Sequence, residues 1–521
     1  MKNTFTNTLK LIVITLMTST CSLGSQNNTP NILLITLDDM NWDSPGCYGG
    51  IIPDLTPNID GLASNGMLFH KAFVQAPNCS PSRSVIQTGL YPHQSGMRGF
   101  YYVEPNGNTL PEILKQNGYI TGVLNKLSDS SLSPDFERYW DSNIDIKGTG
   151  KRSPNSYSKL FEGFLNKVDK NKKPFYCVVN IGDPHKPFFN DTESIKNGFD
   201  EFKPSKIYKL DDVEIPEFLP KHPKIKQEIL NYYNSVKRGD DCVGAILKSL
   251  KNSKYSNNTI IILLSDHGMP LPFAKSSVYP NGIRTPLLIN WEDKITQGTI
   301  NKNNMVSAID LAPTILDLVN ISIPKMYAGN SFSDILLGNE MTSNQYVFTQ
   351  FDENAGGIAR PTRSVFDAKF GYVFNPWATG KLPFKSAADS HTSYKVMKNL
   401  SQSDSMVKTR FDYWVYRRVE EFYDYETDPN ALNNLIDDPK YQDKIEELRQ
   451  RLLTQMTKTD DYLLEAFKNR EDFKFLDSWM ETQVANANVR AKILKWKRYK
   501  NSMGSTKENT ELYSLINKTY N

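Results

Sequence analysis

Cysteine, histidine and long apolar runs are all scarce in this sequence of 521 residues. The five cysteines form an odd and scattered set, which argues against a disulfide framework and offers no paired spacing for a structural zinc ion. The net charge of +3 is close to neutral, and no basic run with interleaved aromatic residues precedes the C-terminal tail. A nucleic-acid partner is therefore not expected.

The first 25 residues predict an export signal. Lys2 and Lys10 carry the only charges there, and the apolar run Leu11–Met17 that follows is too short to span a bilayer. Cys21 comes just after this run, and two alternatives stay open: a lipoprotein signal whose Cys21 is lipidated, or an ordinary secretory signal. Both predict a bacterial protein that leaves the cytoplasm, for the periplasm, for the outer membrane through a lipid anchor, or for the medium.

The middle of the chain predicts an α/β fold with a mostly parallel sheet, because short apolar runs alternate there with helical patterns. Buried strands are expected at Asn31–Leu37, Ile120–Leu124, Phe175–Ile181, Thr259–Leu264 and Pro286–Asn290. Helices are expected at Leu110–Gln116 and Glu228–Leu250, near Val306–Val319 and near Tyr441–Met456. The length and the 39% hydrophobic content allow a large core and indicate two domains.

Two pairs of polar residues directly follow predicted strands. Asp38 and Asp39 come after the first of these strands, and Asp266 and His267 come after the fourth. One such pair alone is typical of a turn or a helix cap, but ligands of parallel sheets gather beyond the carboxyl ends of the strands. Three carboxylates there would repel one another unless a cation lay among them, and oxygen ligands favour calcium or magnesium.

The segment around Cys79 predicts a reactive residue at the start of a helix. Pro81 suits a first helical turn, and Gly89 ends the helical pattern. Arg83 would lie on the same helical face as Cys79, and the exposed N–H groups of a helix N-terminus favour an anion. For Cys79 taken alone, a buried structural cysteine is the alternative.

This segment resembles the signature of the formylglycine-dependent (type I) sulfatases, since it reads Cys79-x-Pro81-Ser82-Arg83-x-x-x-x-Thr88-Gly89. The resemblance implies an alkaline-phosphatase-like α/β sandwich with a smaller C-terminal α+β subdomain. It also implies that a formylglycine-generating or sulfatase-maturating enzyme oxidises Cys79 to formylglycine, whose hydrate attacks a sulfate ester. One calcium ion is implied, with the ligands Asp38, Asp39, Asp266, His267 and the modified Cys79. For His267 a hydrogen bond instead of ligation stays open, because imidazole is a softer ligand than calcium prefers.

Further site residues follow from the same resemblance. Lys126 and Lys275 match sulfate-binding lysines, and His185 matches the histidine that protonates the leaving group. The sequence departs from the family at Ser128, where many sulfatases carry a histidine that helps to break the sulfated intermediate. Ser128 or its neighbour Asp129 is a candidate substitute. The expected catalytic set is Cys79, Arg83, Lys126, His185 and Lys275.

The expected substrate class also comes from the resemblance. The stretches Pro92–Gly99 and Asp266–Pro272 look like the heparan N-sulfatase (sulfamidase) branch, which includes exported bacterial enzymes that act on sulfated polysaccharides. A sulfated glycan is therefore expected, with an N-linked or O-linked sulfate left open. Guanidinium groups suit carboxylates and sulfates, although a structural ion pair is the alternative for each arginine. The substrate-binding candidates are His93, Arg98, Arg360 and Arg363.

Four segments are expected: a signal peptide over 1–25, a catalytic domain over 26–340, the α+β subdomain over 341–460 and a basic helical extension over 461–521. The extension is either a solvated helix or a polyanion contact. Two other functions stay open. A phosphodiesterase or phosphonate hydrolase of the same superfamily needs more metal-binding histidines than six scattered ones supply, and Ser128 suggests a non-catalytic glycan-binding relative.

Overall fold

The structure, a computed structural model, describes residues 29–339, 344–355 and 357–499, and for residues 491–499 it describes the backbone alone. The predicted signal peptide with Cys21 lies outside the described residues, as does the end of the predicted extension. Among the helices described, none is both long and apolar enough to cross a membrane.

Eight strands of the described chain form a large sheet. They are β1 (Asn31–Asp38), β2 (Met67–Phe73), β3 (Ile120–Leu124), β4 (Ser142–Ile144), β5 (Phe175–Pro184), β6 (Thr259–Ser265), β7 (Leu287–Asn290) and β8 (Thr299–Ser307). Their order is β4-β3-β5-β1-β6-β7-β2-β8, and β7 runs antiparallel to both of its neighbours while the other pairs are parallel. Strands β1, β5 and β6 are buried along their whole length, which explains their continuous runs of Val, Ile and Leu.

Helices flank this sheet. The first eleven are α1 (Pro57–Ser64), α2 (Cys79–Thr88), α3 (Pro92–Ser95), α4 (Leu110–Gln116), α5 (Phe136–Tyr139), α6 (Pro154–Asn171), α7 (Thr192–Lys196), α8 (Pro223–Lys251), α9 (Pro280–Ile283), α10 (Leu311–Leu318) and α11 (Ser333–Leu336). Helices α6 and α8 pack against each other, and α8 also contacts β5. Both begin with a proline after a side-chain N-cap, Ser153 in α6 and His222 in α8, which is a strong helix-start signal.

A second, smaller sheet is antiparallel throughout. Its strands are β9 (Val347–Asn354), β10 (Ile358–Phe366), β11 (Phe370–Phe374) and β12 (Glu420–Asp424), in the order β12-β11-β10-β9. The remaining helices are α12 (Thr392–Leu400), α13 (Ser405–Tyr416), α14 (Gln442–Lys458), α15 (Leu464–Lys468) and α16 (Phe473–Tyr499). Phe374 and Phe467 meet edge to face at 5.1 Å in a separate core that α14 and α15 cover. The large parallel sheet and this smaller one confirm the predicted fold class.

Several observed elements differ in extent from the predicted ones. Strand β3 matches the predicted Ile120–Leu124, but the helix expected near Val306–Val319 begins only at Leu311. Val306 and Ser307 belong instead to β8, because their backbone pairs with the parallel strand β2. A short 3-10 turn then leads into α10. Pairing along the sheet edge therefore overrides the local helical pattern.

Gly122 in β3 offers a test of the packing between the sheet and α6. A Cβ atom at this position would lie 2.4 Å from the ring of Phe164, so either the ring or the strand would have to move. We expect Gly122→Ala to lower the free energy of unfolding by about 1–3 kcal/mol, because close-packed cores tolerate added atoms poorly. The urea-unfolding midpoint measures this loss.

Gly163→Ala is the matched control, because Gly163 is exposed in α6 and an added Cβ meets nothing within 4 Å. Alanine has the better helix propensity, so this variant should gain about 0.5–1 kcal/mol. If Gly122→Ala is as stable as the native protein, the close approach of β3 to α6 is wrong.

Candidate active site

Three adjacent strands end at one edge of the large sheet and bring the acidic residues together. Strand β1 lies between β5 and β6. Asp38 is the last residue of β1, and Asp39 follows with a left-handed backbone at φ 71°. Asp266 directly follows β6, and its Oδ1 accepts a hydrogen bond from the amide of Asp39 at 3.1 Å. All three carboxylates are fully buried.

Cys79 is the first residue of α2, and its side chain contacts this acidic edge. Its Sγ lies 3.5 Å from each of three atoms: Asp38 Oδ1, His267 Nε2 and Lys275 Nζ. The helix ends at Gly89, which takes a left-handed φ of 61°. A group carried on this side chain therefore lies among a carboxylate, an imidazole and an ammonium group, at the N-terminus of a helix.

Arg83 holds the carboxylates in place from within the protein. Its Nε and Nη2 donate to Asp266 Oδ2 at 3.1 and 2.8 Å, and Nη2 lies 3.9 Å from Asp38 Oδ1. Its Nη1 donates to Thr36 Oγ1 at 2.6 Å and to Asn180 Oδ1. Burial lowers the pKa of this guanidinium, but the nearby carboxylates raise it by more, so the net shift is upward.

Two lysines balance the remaining carboxylate charge. Lys126 Nζ contacts Asp38 Oδ2, and Lys275 Nζ donates to Asp39 Oδ1 at 2.6 Å. Burial raises the pKa of the Asp38 carboxyl, but Lys126 and the other cations hold that pKa well below its usual range. The pKa of Asp39 is also lowered, since Lys275 and the histidines outweigh burial. Both carboxylates are therefore anionic at neutral pH.

The two histidines of the site present the same ring nitrogen to it. His267 Nδ1 lies 2.9 Å from the carbonyl of Gly268, and His185 Nδ1 lies 2.6 Å from the carbonyl of Lys186. A carbonyl only accepts, so we assign the proton of each neutral ring to Nδ1. The Nε2 atoms then face the carboxylates: His267 Nε2 is 3.2 Å from Asp39 Oδ1, and His185 Nε2 is 4.0 Å from Asp39 Oδ2.

The residues present fit a divalent metal ion. Side-chain ligand atoms of Asp38, Asp39, Cys79 and His185 all lie within 4.8 Å of one another, and Asp266 and His267 form a second set with Asp38 and Cys79. Asp39 Oδ2 is buried and lacks a hydrogen-bond partner among the described atoms. An unpartnered buried carboxylate oxygen is costly, and a cation would satisfy it.

A cavity of about 390 Å³ opens beside these groups. Lys126, His185, Ser128 and Asp129 line it. The carboxylate of Asp129 accepts a hydrogen bond from Ser80 Oγ, next to Cys79, and its Oδ2 lies 3.6 Å from Lys126 Nζ. Ser128 stands where the family resemblance implies a histidine, and it lies in the wall of this cavity.

The four predicted substrate-binding residues lie elsewhere. Arg363 forms a bidentate pair with Asp461 at 2.5 and 2.9 Å, and His93 Nδ1 lies 3.7 Å from the same carboxylate. The guanidinium of Arg98 stacks on the ring of Tyr462 at 4.4 Å. Arg360 is buried and donates to backbone carbonyls. None of the four is among the described residues that line the 390 Å³ cavity.

Arg152 is part of the site, although no sequence pattern indicated it. Its Nη1 donates to Asp183 Oδ1 at 2.7 Å, and its Nη2 donates to the carbonyl of His185 at 2.7 Å. Arg238 of α8 donates to the same carboxylate, from Nε to Oδ2 at 2.7 Å and from Nη2 to Oδ1 at 3.1 Å. The two guanidinium groups fix the end of β5, from which His185 projects. The sequence around Arg152, in a loop with lysines and glycines, reads as exposed surface.

The model of the protein family described as Sulfatase matches residues 30–321 of this chain. The chain belongs to the sulfatase family. The matched range contains Asp38, Cys79, Lys126, His185 and Asp266, and it makes the chain a sulfuric ester hydrolase. The family prediction made from the signature is thereby confirmed. Sulfatases generally use a formylglycine and a metal ion, and the buried cluster at the ends of β1 and β6 provides a candidate site for both.

Known relatives extend the likeness over most of the chain. Human N-sulphoglucosamine sulphohydrolase is 29% identical over 462 residues, which cover 83% of this chain and 90% of the human protein. An ulvan-active sulfatase from Formosa agariphila is 25% identical over 475 residues, which cover 83% of this chain and 75% of that protein.

Solved structures show the same fold. A 2-O GAG sulfatase superposes with a TM-score of 0.62 at 21% identity, over 83% of this chain and 93% of that chain. A protein solved in complex with its substrate, D-glucosamine-2-N,6-O-disulfate, superposes with a TM-score of 0.61 at 19% identity, over 83% of this chain and 99% of that chain. These likenesses agree with the alkaline-phosphatase-like architecture that the sequence predicts.

Removal of one carboxylate charge tests the metal site. We expect Asp39→Asn to weaken calcium binding on the order of tenfold or more, because the charge of the ligand set sets the affinity. Calorimetric titration of the metal-free protein with calcium measures it without relying on activity. Asp145→Asn is the control, since Asp145 lines the same cavity and its replacement keeps an acceptor for the amide of Leu127. Equal affinities for all three proteins would remove Asp39 from the ligand set.

Proposed function

We propose that this sulfatase removes sulfate from a sulfated polysaccharide or oligosaccharide, as an ester or an N-sulfate. The observation that carries the proposal is the position of Cys79, in contact with a carboxylate, an imidazole and an ammonium group at one sheet edge. The activities named for its relatives support the substrate class, since these relatives include an N-sulphoglucosamine sulphohydrolase, ulvan-active sulfatases and a 2-O GAG sulfatase.

We further propose that Cys79 is matured to formylglycine by a formylglycine-generating or sulfatase-maturating enzyme, and that the metal is calcium. When bound, the cation would neutralise charge on the sulfate oxygens, and the hydrate of the modified residue would supply the attacking hydroxyl. The residues that would hold the cation are Asp38, Asp39, Asp266, His267 and the modified residue 79. Oxygen-rich ligand sets of this kind favour calcium over softer metals.

Lys126 and Lys275 are proposed to bind the sulfate group. Both ammonium groups lie against carboxylates of the cluster, and Lys275 Nζ is 3.5 Å from Cys79 Sγ. Lysine presents a compact charge with three donors on a flexible stem, so it can turn from a carboxylate to a sulfate oxygen. Arg83 is fully committed to Asp266 and its neighbours, so its proposed role is to hold the carboxylates.

His185 is proposed to donate a proton to the leaving oxygen or nitrogen. It lines the cavity and presents Nε2, because Nδ1 is bonded to the carbonyl of Lys186. Burial lowers the pKa of His185 to about 4, although the nearby carboxylates of Asp39 and Asp38 raise it. The ring is therefore neutral at pH 7. A sulfate bound nearby would favour the protonated ring, so the proton would be taken up together with the substrate.

Export is proposed from the N-terminal segment, with periplasmic, secreted and Cys21-anchored forms all consistent with it. A membrane contact would then run only through a lipid on Cys21.

Cys79 is the residue whose loss should abolish turnover. With a formylglycine-generating enzyme co-expressed, we expect Cys79→Ala to release sulfate from heparan sulfate oligosaccharides at least about 1,000-fold more slowly than the native protein, because the nucleophile is gone. Ion chromatography of sulfate measures this, and mass spectrometry of the peptide that contains residue 79 detects the aldehyde. Cys47→Ala is the control and should keep full activity. A Cys79→Ala protein as active as the native one would sink the proposal.

The proposed role of His185 predicts a dependence on the leaving group. His185→Ala should lower kcat/KM for a sulfated sugar by about 100-fold or more, since a sugar alcohol leaves poorly without a proton. Turnover of 4-nitrophenyl sulfate should fall much less, because nitrophenolate leaves without protonation. The comparison of the two substrates on the same variant is its own control. Equal losses on both substrates would assign His185 to sulfate binding instead.

A further inference from the structure

A second cavity, of about 400 Å³, lies next to the catalytic one, and Lys186 lines both. The loop after β5, the start of α7, one side of α8 and the start of α12 form its walls. The side chains that matter for binding are Lys186, Asn190, Lys224, Gln227, Asn231 and Lys395. The volume falls within the range of about 300–1,000 Å³ that is usual for small-molecule sites.

Lys186 joins the two cavities directly. It follows His185 in the chain, and its Nζ donates to the carbonyl of Ser390 at 3.3 Å, in the wall of the second cavity. A molecule that extends from His185 along Lys186 therefore reaches the second cavity and stays in contact with the protein.

The acidic groups of the second cavity are mostly occupied by the protein itself. Glu228 accepts the amides of Thr392 and Ser393, both at 2.7 Å, and lies 3.3 Å from His391 Nδ1. These bonds tie α8 to the N-terminus of α12 and leave the carboxylate little capacity for a ligand.

The second acid, Asp191, caps α7. It accepts the amides of Phe188 and Ser194 at 2.9 and 2.7 Å. Glu193 is the remaining carboxylate of the lining and is exposed. Two of the three acids are thus committed to the backbone.

The lysines of the second cavity, in contrast, form no ion pair with a carboxylate of the described residues. Within the described part of the chain, no ion pair involves Lys186, Lys224 or Lys395, and the last two are exposed. Three uncompensated ammonium groups beside the amide side chains of Gln227 and Asn231 suit a ligand that carries both anionic groups and hydroxyls.

We propose that the second cavity binds a sugar unit of the same sulfated glycan that lies at least two units away from the one whose sulfate lies at Cys79. The lysines bind its sulfate or carboxylate groups, and the amides bind its hydroxyls. This inference rests on the proposed function, and it makes the substrate a chain longer than a disaccharide. The protein thus selects for length as well as for the sulfate that it removes.

The test compares two probes, a heparin hexasaccharide and a heparin disaccharide, on the full-length Cys79→Ala protein at physiological ionic strength. Adding Lys224→Gln and Lys395→Gln should weaken hexasaccharide binding about fivefold, since each exposed ion pair contributes modestly, and should leave disaccharide binding unchanged. Isothermal titration calorimetry measures both affinities.

The control adds Lys226→Gln and Lys398→Gln, which remove the same charge from the same two helices outside the cavity lining. Four results would overturn the inference: the same loss of affinity in this control, an equal loss of affinity for both probes, no loss of affinity, or no binding of the hexasaccharide. Sulfate release by the matured native protein is measured in parallel on the hexasaccharide. If sulfate is released but the lysine variants do not lose hexasaccharide affinity selectively, only the role of the second cavity is overturned. If the selective loss of affinity is seen but no sulfate is released from any sulfated glycan, the proposed function is overturned.

Discussion

Burial of three carboxylates side by side is the constraint on which the rest of this structure depends. Each ionised carboxylate taken out of water costs several kcal/mol even after relaxation. Asp38, Asp39 and Asp266 are fully buried at adjacent strand ends, and the chain offsets their charge with Arg83 and two lysines. The charges balance in number, but the hydrogen bonding is incomplete, because Asp39 Oδ2 keeps no hydrogen-bond partner among the described atoms. An edge built in this way is suited to take up further positive charge.

Arginine and lysine divide this compensation by their geometry. Arg83 and Arg238 each use two nitrogens of the rigid guanidinium to hold one protein carboxylate, which fixes the strand ends. Lys126 and Lys275 contact the cluster through a single Nζ atom. A bidentate contact resists exchange, while a single ammonium contact can turn to a new anion. The arginines of the site therefore hold the protein's own carboxylates, and the lysines are the groups proposed to bind a sulfate.

The sequence predicted the centre of the molecule better than its edges. Strands buried on both faces, such as β1 and β6, leave continuous apolar runs, and the acidic residues at their ends can be located from the same pattern. Strand β8 reads Thr-Ile-Asn-Lys-Asn-Asn-Met-Val-Ser and is half exposed at the sheet edge, so it leaves no such run. Arg152 could not be recognised, because its partners Asp183 and His185 come from a distant strand that only the folded topology brings near.

The arginines proposed from the sequence as substrate ligands show where residue type alone fails. Arg363 carries the charge and shape that suit a sulfate, but Asp352 and Asp461 already occupy its fork in a buried cluster. Whether an arginine is free to bind a substrate depends on carboxylates that other elements bring to it. The position of a residue at a strand end, in contrast, is determined by the sheet itself. In the proposed binding mode, the sheet positions the groups that break the bond, and the loops together with α8 and α12 position the groups that contact the rest of a glycan. Substrate length and the chemistry of sulfate removal would then be controlled by different residues of one chain.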